Sequence, residues 1–163
     1  AADASIFFTG KPTKNDVQAT LLDASKNYGA EYELHSVAYS LGASQVALAF
    51  YDGNKDPKKK AALDEFDTIT LISPGGQPFS SDDVPQTVLS DPRFNLLANR
   101  SDIISQDFIQ NSQHNDHVWY GNGSWHPTYA HSYLQYGTDP PDYEDDKPGM
   151  SMDSMIENAQ KQD

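Results

Sequence analysis

YELHSVAYSLGASQVALAFY, residues 32–51, decides how the rest of the chain is read. An apolar run enters Ala38-Tyr39-Ser40-Leu41-Gly42, and an Ala-rich segment of helical composition follows at once. A serine held between a buried strand and a helix start, with small residues two places before and after it, has the pattern of a nucleophile elbow. The turn is so sharp that the neighbours at minus two and plus two press together, and only small side chains fit there. Ala38 and Gly42 meet that demand, although Ala38 stands where Gly is commoner. Ser40 would then project from a strained backbone, and the Leu41 amide at the helix start would face a developing oxyanion. The competing reading is an ordinary strand-to-helix turn with Ser40 as its cap, since Ser is a preferred capping residue.

Outward from this stretch, strands and helices alternate. Ser5 to Thr9 reads as a short buried strand, followed by a loop at Gly10-Lys11-Pro12-Thr13. Asn15 can cap a helix in which Val17, Leu21, Ala24 and Tyr28 share one face, with Gly29 where a left-handed C-terminal cap belongs. The helix after Ser40 should run to about Tyr51, and Lys55 to Lys60 reads as a basic, solvated excursion. Thr68 to Ser73 is a β-branched run closed by Pro74-Gly75-Gly76, and a short helix is expected from Asp82 to Leu89. Asn95 to Asn99 is a further core strand, ending at Arg100-Ser101-Asp102. This alternation predicts an α/β fold with a mostly parallel sheet, the elbow strand central and helices on both faces. Residues 106–136 are polar and aromatic and read mainly as loops. The domain therefore spans residues 1–137, and residues 138–163 form an acidic, Pro- and Asp-rich tail or linker, with a short amphipathic helix expected over 152–159.

Composition narrows the function classes. At 163 residues and 37% hydrophobic, the chain can bury one real core. Its net charge of −13 argues against nucleic-acid or anionic-membrane binding, which need clustered Lys and Arg. Residues 138–163 carry eight of the acidic and only two of the basic side chains, so the charge is concentrated at that end. The absence of cysteine excludes thiolate catalysis, disulfides and Cys-based zinc sites. No segment has the apolar length of a transmembrane helix. The opening Ala1-Ala2-Asp3-Ala4 goes almost directly into Ile6-Phe7-Phe8. That abrupt entry reads as a trimmed or mature start, which suits a secreted bacterial protein or one portion of a larger polypeptide.

In open α/β sheets, functional groups gather in the loops beyond the C-terminal strand ends. Ser40 follows one strand, Asp102 follows another, and His114, His117, His126 and His131 come later. The order Ser, Asp, His is that of an α/β-hydrolase triad, in which imidazole removes the serine proton and the carboxylate fixes its tautomer. His114 and His117, with Asp116 between them, could instead begin a metal site, but their polar neighbours suit a solvated loop and no metal or other cofactor is expected.

HSVAYSLGAS, LLANRSDIIS and YAHSYLQY together resemble the α/β-hydrolase superfamily, and within it the lipases and lipase-like esterases, including the class 3 type. The resemblance covers about residues 6–137 and is one of motifs. It implies Ser40 as nucleophile, Asp102 as acid and His131 as base, with His126 in Trp125-His126-Pro127 as the rival base. It also implies oxyanion donors at the Leu41 amide and, from an upstream loop, at Gly10 and Lys11. A small-molecule or lipid ester is the implied substrate, and the aromatics around Trp119 to Tyr129 could border an acyl pocket. The pattern is departed from in length and in the single strand before the elbow, so the chain reads as a minimal version or a C-terminal portion of such a domain. The alternative is a binding module, without catalysis, built on the same frame.

Overall fold

The computed structural model describes residues 2–8, 13–75, 83–99, 102–111 and 118–121, the first and last of these by their backbone. Five strands, β1 (Ala2–Phe8), β2 (Tyr32–Tyr39), β3 (Phe66–Ile72), β4 (Phe94–Asn99) and β5 (Val118–Gly121), form one sheet in that order. Every neighbouring pair is parallel. Between them lie α1 (Lys14–Tyr28), α2 (Leu41–Gly53), α3 (Pro57–Leu63), α4 (Asp83–Leu89) and, after a 3₁₀ turn at Ile103–Ser105, α5 (Gln106–Gln110). The α/β class and the parallel sheet are as the alternation predicts; the elbow strand β2 is second in the order, not central, and β3 holds the middle position among the described strands.

Residues facing one way from the sheet form the core with the helices. Ile69 pairs in register with Phe94 and Leu71 with Leu96, while Ala38 lies opposite Leu71. These side chains join Val17 and Leu21 of α1, Val46 and Phe50 of α2, Leu63 of α3, Val88 of α4 and Phe108 of α5 in one buried cluster. Phe50 meets Phe66 and Phe94 edge-on, with ring centroids 5.8 and 5.3 Å apart. The alternate row, Val37, Thr70, Ile72, Asn95 and Leu97, is buried on the opposite face and, among the described residues, stands outside that helix-packed cluster. His35 sits on that face too, with Nδ1 2.7 Å from Thr68 Oγ1.

The described helices thus pack on one face, not on both as the alternation alone suggests. The reason is topological. Crossovers between parallel strands are right-handed, so strands that follow one another across the sheet in a single direction place each connecting helix on the same side.

Three local expectations are corrected. Gly29 closes α1 in the right-handed region, at φ −58° and ψ −27°, and not as a left-handed cap. Thr13, not Asn15, caps α1: its hydroxyl accepts from the Asp16 N–H at 3.2 Å and the Asp16 carboxylate reaches back to Thr13, a reciprocal capping box. The segment read as a solvated excursion contains α3. Asp56 caps it through the amides of Lys58 and Lys59, Pro57 pre-sets the first turn, and Leu63 buries its inner end. The lysines are paired outward, Lys59 to Gln18 at 2.8 Å and Lys60 to Asp64 at 2.6 Å. The tail over 138–163 and its expected helix over 152–159 lie outside the described residues.

Candidate active site

Because the strands are all parallel, their C-terminal ends share one edge of the sheet, and Ser40 and Asp102 both leave from that edge. β2 ends at Tyr39 and α2 begins at Leu41, so a single residue, Ser40, reverses the chain. Its backbone stands at φ 53°, ψ −125°, a conformation that costs a non-glycine residue about 1–3 kcal/mol. The N–H of Ser40 still extends the sheet ladder, donating to the Ile72 carbonyl of β3 at 2.9 Å. Its carbonyl already belongs to the helix, accepting from Ser44 N–H at 3.2 Å. Held at both ends, the residue has no freedom to relax.

The capping explanation of Ser40 fails. Its side chain makes no capping hydrogen bond to α2, so the hydroxyl is not spent on the helix it precedes. The first intrahelical bond is the one to Ser44, which leaves the amides of Leu41, Gly42 and Ala43 ahead of the helical ladder. No acidic residue occupies the first turn of α2 to neutralise the positive end of its dipole. The Leu41 amide therefore stands at the positive end of α2, ahead of its first intrahelical bond. Ala38 and Gly42, the small neighbours the turn demands, are both buried.

Asp102 lies three residues beyond the end of β4 and is fully buried. One carboxylate oxygen accepts from Ile104 N–H at 2.9 Å and the other from Ser105 Oγ at 2.7 Å. Its N–H donates to the Asn99 carbonyl at 2.9 Å, which ties the acid to the strand it follows. A buried carboxylate is tolerable only when such donors satisfy it, and here two are supplied by its own turn. Ser105 is itself fully buried. No spacing rule singled it out.

β4 also fixes where the late part of the chain departs. β5 is its parallel neighbour, Asn99 opposite Gly121, so the chain continues from the same edge at Gly121, five residues before His126 and ten before His131. His126, His131, His114 and His117 lie outside the described residues. So do Gly10 and Lys11. The strand that precedes these two, β1, is the direct neighbour of the elbow strand, with Phe8 paired to Ala38. Among the described residues no group of His, Asp and Glu is arranged to hold a metal ion, and no helix is long and apolar enough to cross a membrane.

Sequence reasoning missed the loop between these two turns. Ser73 follows β3 at φ 44°, fully buried, and donates its N–H to the Leu97 carbonyl at 2.7 Å. Gly75 donates to the Ser40 carbonyl at 3.3 Å and accepts from Ser44 Oγ at 3.2 Å. From sequence, Pro74-Gly75-Gly76 signals only a strand end. No protein-family model, curated protein or solved structure matches the chain.

Proposed function

We propose that the protein is a serine ester hydrolase of lipase or esterase type, acting through an acyl-enzyme on Ser40. The observation that carries this reading is the backbone of Ser40, a non-glycine residue at φ 53°, ψ −125° between a buried parallel strand and a helix, with no capping bond from its side chain. Strain of this kind persists only where surrounding structure enforces it, and it collects at functional sites. An ordinary capping serine needs none of it.

In the proposed mechanism Ser40 Oγ attacks the ester carbonyl, a histidine imidazole takes the hydroxyl proton, and the Leu41 amide stabilises the oxyanion. The tetrahedral adduct then collapses, the imidazolium protonates the leaving alcohol, and water repeats the sequence to release the acid. Asp102 is assigned the role of orienting the imidazole, supported by its burial at the end of β4 on the same sheet edge. His131 is assigned the base on resemblance, and Gly10 or Lys11 the second oxyanion donor. The strand β1 beside the elbow supports the latter, because its last residue, Phe8, pairs with Ala38, two residues before Ser40.

The test is covalent labelling with a fluorophosphonate probe together with hydrolysis of short- and long-chain acyl esters. The wild type should be labelled at Ser40 and turn over esters, while a folded Ser40→Ala variant does neither. Equal rates in the two proteins remove Ser40 as nucleophile. Absence of labelling and turnover in both leaves the frame as a binding module.

A further inference from the structure

We propose that Gly75 is a positioning residue for the hydrolytic site: it sets the spacing between the Ser40 turn and the Asp102 turn. This rests on the proposed roles of those two residues. Gly75 is buried between them. On one side its N–H donates to the Ser40 carbonyl at 3.3 Å, and its own carbonyl accepts from the buried Ser44 hydroxyl at 3.2 Å. On the other side its Cα faces the backbone of Ile104. A Cβ added at Gly75 would overlap the Ile104 carbonyl oxygen and Cγ2, and would sit 2.8 Å from the carbonyl carbon. Two of the three obstacles are backbone atoms, which cannot swing aside as a side-chain end can.

The contact reaches the acid directly. Ile104 is the residue whose N–H holds one oxygen of the Asp102 carboxylate, at 2.9 Å. Whatever pushes Ile104 outward moves that donor and the carboxylate with it. Gly75 thus touches both the nucleophile turn and the acid turn, and its missing side chain permits their approach. The preceding Ser73, at φ 44°, brings the chain across the strand ends so that residue 75 arrives there.

The experiment is the steady-state kinetics and pH–rate profile of Gly75→Ala beside the wild type, with fluorophosphonate labelling and thermal unfolding of both. A displaced acid turn should lower kcat about 100-fold, as misplacements near 1 Å do, with KM within about threefold. The limb that reports the essential base should move to lower pH, since a carboxylate drawn away no longer favours the imidazolium. A purely structural role would lower the unfolding temperature and leave kcat and the limb where they are. That result in an active, labelled pair overturns the inference and leaves the hydrolase reading standing. A wild type that neither labels nor hydrolyses removes the reading and the inference together. Should Gly75→Ala fail to fold, Ser44→Ala loosens the same glycine without adding an atom. It should lower kcat about fivefold with the same direction of limb shift, and unchanged kcat and limb in that variant overturn the proposal.

Discussion

Ser40 and Ser73 are the residues that follow the last cross-strand pair of β2 and β3, Tyr39 with Ile72, and both stand at positive φ, 53° and 44°. Among the described residues no other non-glycine residue does so. Two strained serines side by side at one edge of a parallel sheet mark that edge as the place where the fold has accepted a local cost. The adjoining ladder bonds, Ser40 N–H to Ile72 and Ser73 N–H to Leu97, hold both turns against relaxation.

The first prediction separates the chemistry of Ser40 from its conformation. Ser40→Ala and Ser40→Gly should both abolish ester hydrolysis. Only glycine relieves the positive φ, so Ser40→Gly should be the more stable of the two by about 1 kcal/mol. Chemical denaturation of both variants gives the order. Alanine equal to or above glycine would mean that the turn is not under backbone strain.

The second concerns Asp102. Replacing it with Asn keeps the shape but offers the wrong partner to an imidazole N–H. A loss of roughly 10³–10⁴ in kcat is expected where such a residue fixes the tautomer. Asp102→Ala should in addition cost about 1–3 kcal/mol of stability, because the Ile104 amide and the buried Ser105 hydroxyl lose their acceptor. A folded Asp102→Asn protein with wild-type kcat would remove Asp102 from the triad.

The third is a pH effect away from the site. Burial alone would raise the Asp91 carboxyl, but hydrogen bonds from Arg93 outweigh it and hold Asp91 below its usual 3.8. Arg93 binds both oxygens, at 2.8 to 3.2 Å, and its other nitrogen reaches the Leu63 and Phe66 carbonyls at 2.9 and 3.0 Å. A lowered folded-state value means that this contribution is present above the unfolded carboxyl pKa and is lost as pH falls through the folded one. Asp91→Asn should therefore cost about 1–2 kcal/mol at pH 7. The gap from wild type should narrow as pH falls below 3.8 and the carboxylate takes up its proton. A gap that stays constant over that range would show that the Asp91 charge is not what is lost.

Much of the fold was legible because its signals are local. The period of Val17, Leu21 and Ala24 marks a helix face, and β-branched runs mark buried strands; these are properties of short windows. The sharp strand-to-helix turn at Ser40 was legible for the same reason, since Ala38, Ser40 and Gly42 lie within five residues. What stayed hidden depends on separations that sequence does not display. Gly75 matters because of Ile104, twenty-nine positions away, and nothing in Pro74-Gly75-Gly76 distinguishes a close approach from a routine turn. The one-sided packing of the described helices follows from strand order, which no window contains. α3 was missed because a run of lysines outweighed its capping Asp56 and Pro57, although those two residues define the helix start.

The last prediction decides between two histidines. β5 ends at Gly121, in register with Asn99 of the strand that carries Asp102. A base drawn from the chain after β5 can therefore come from a loop that starts beside the acid. His126 is reached in five residues and His131 in ten, and neighbouring parallel strands lie about 4.8 Å apart. The elbow strand β2 is three positions from β5 in the sheet order, so a loop leaving β5 must cross roughly 14 Å to reach Ser40. An extended residue covers about 3.3 Å, so either histidine can reach if its loop runs straight. Five residues allow little else, and Pro127 restricts His126 to extended conformations. Ten residues leave room to turn the imidazole toward Ser40 with Asp102 behind it. His131→Gln should therefore lower kcat by about 10³ or more, and His126→Gln by less than about tenfold. Measuring both variants at saturating ester, with folding checked by circular dichroism, gives the answer. The reverse pattern transfers the base to His126 and keeps the mechanism. Two active variants would leave Ser40 without a base among these histidines and end the triad assignment.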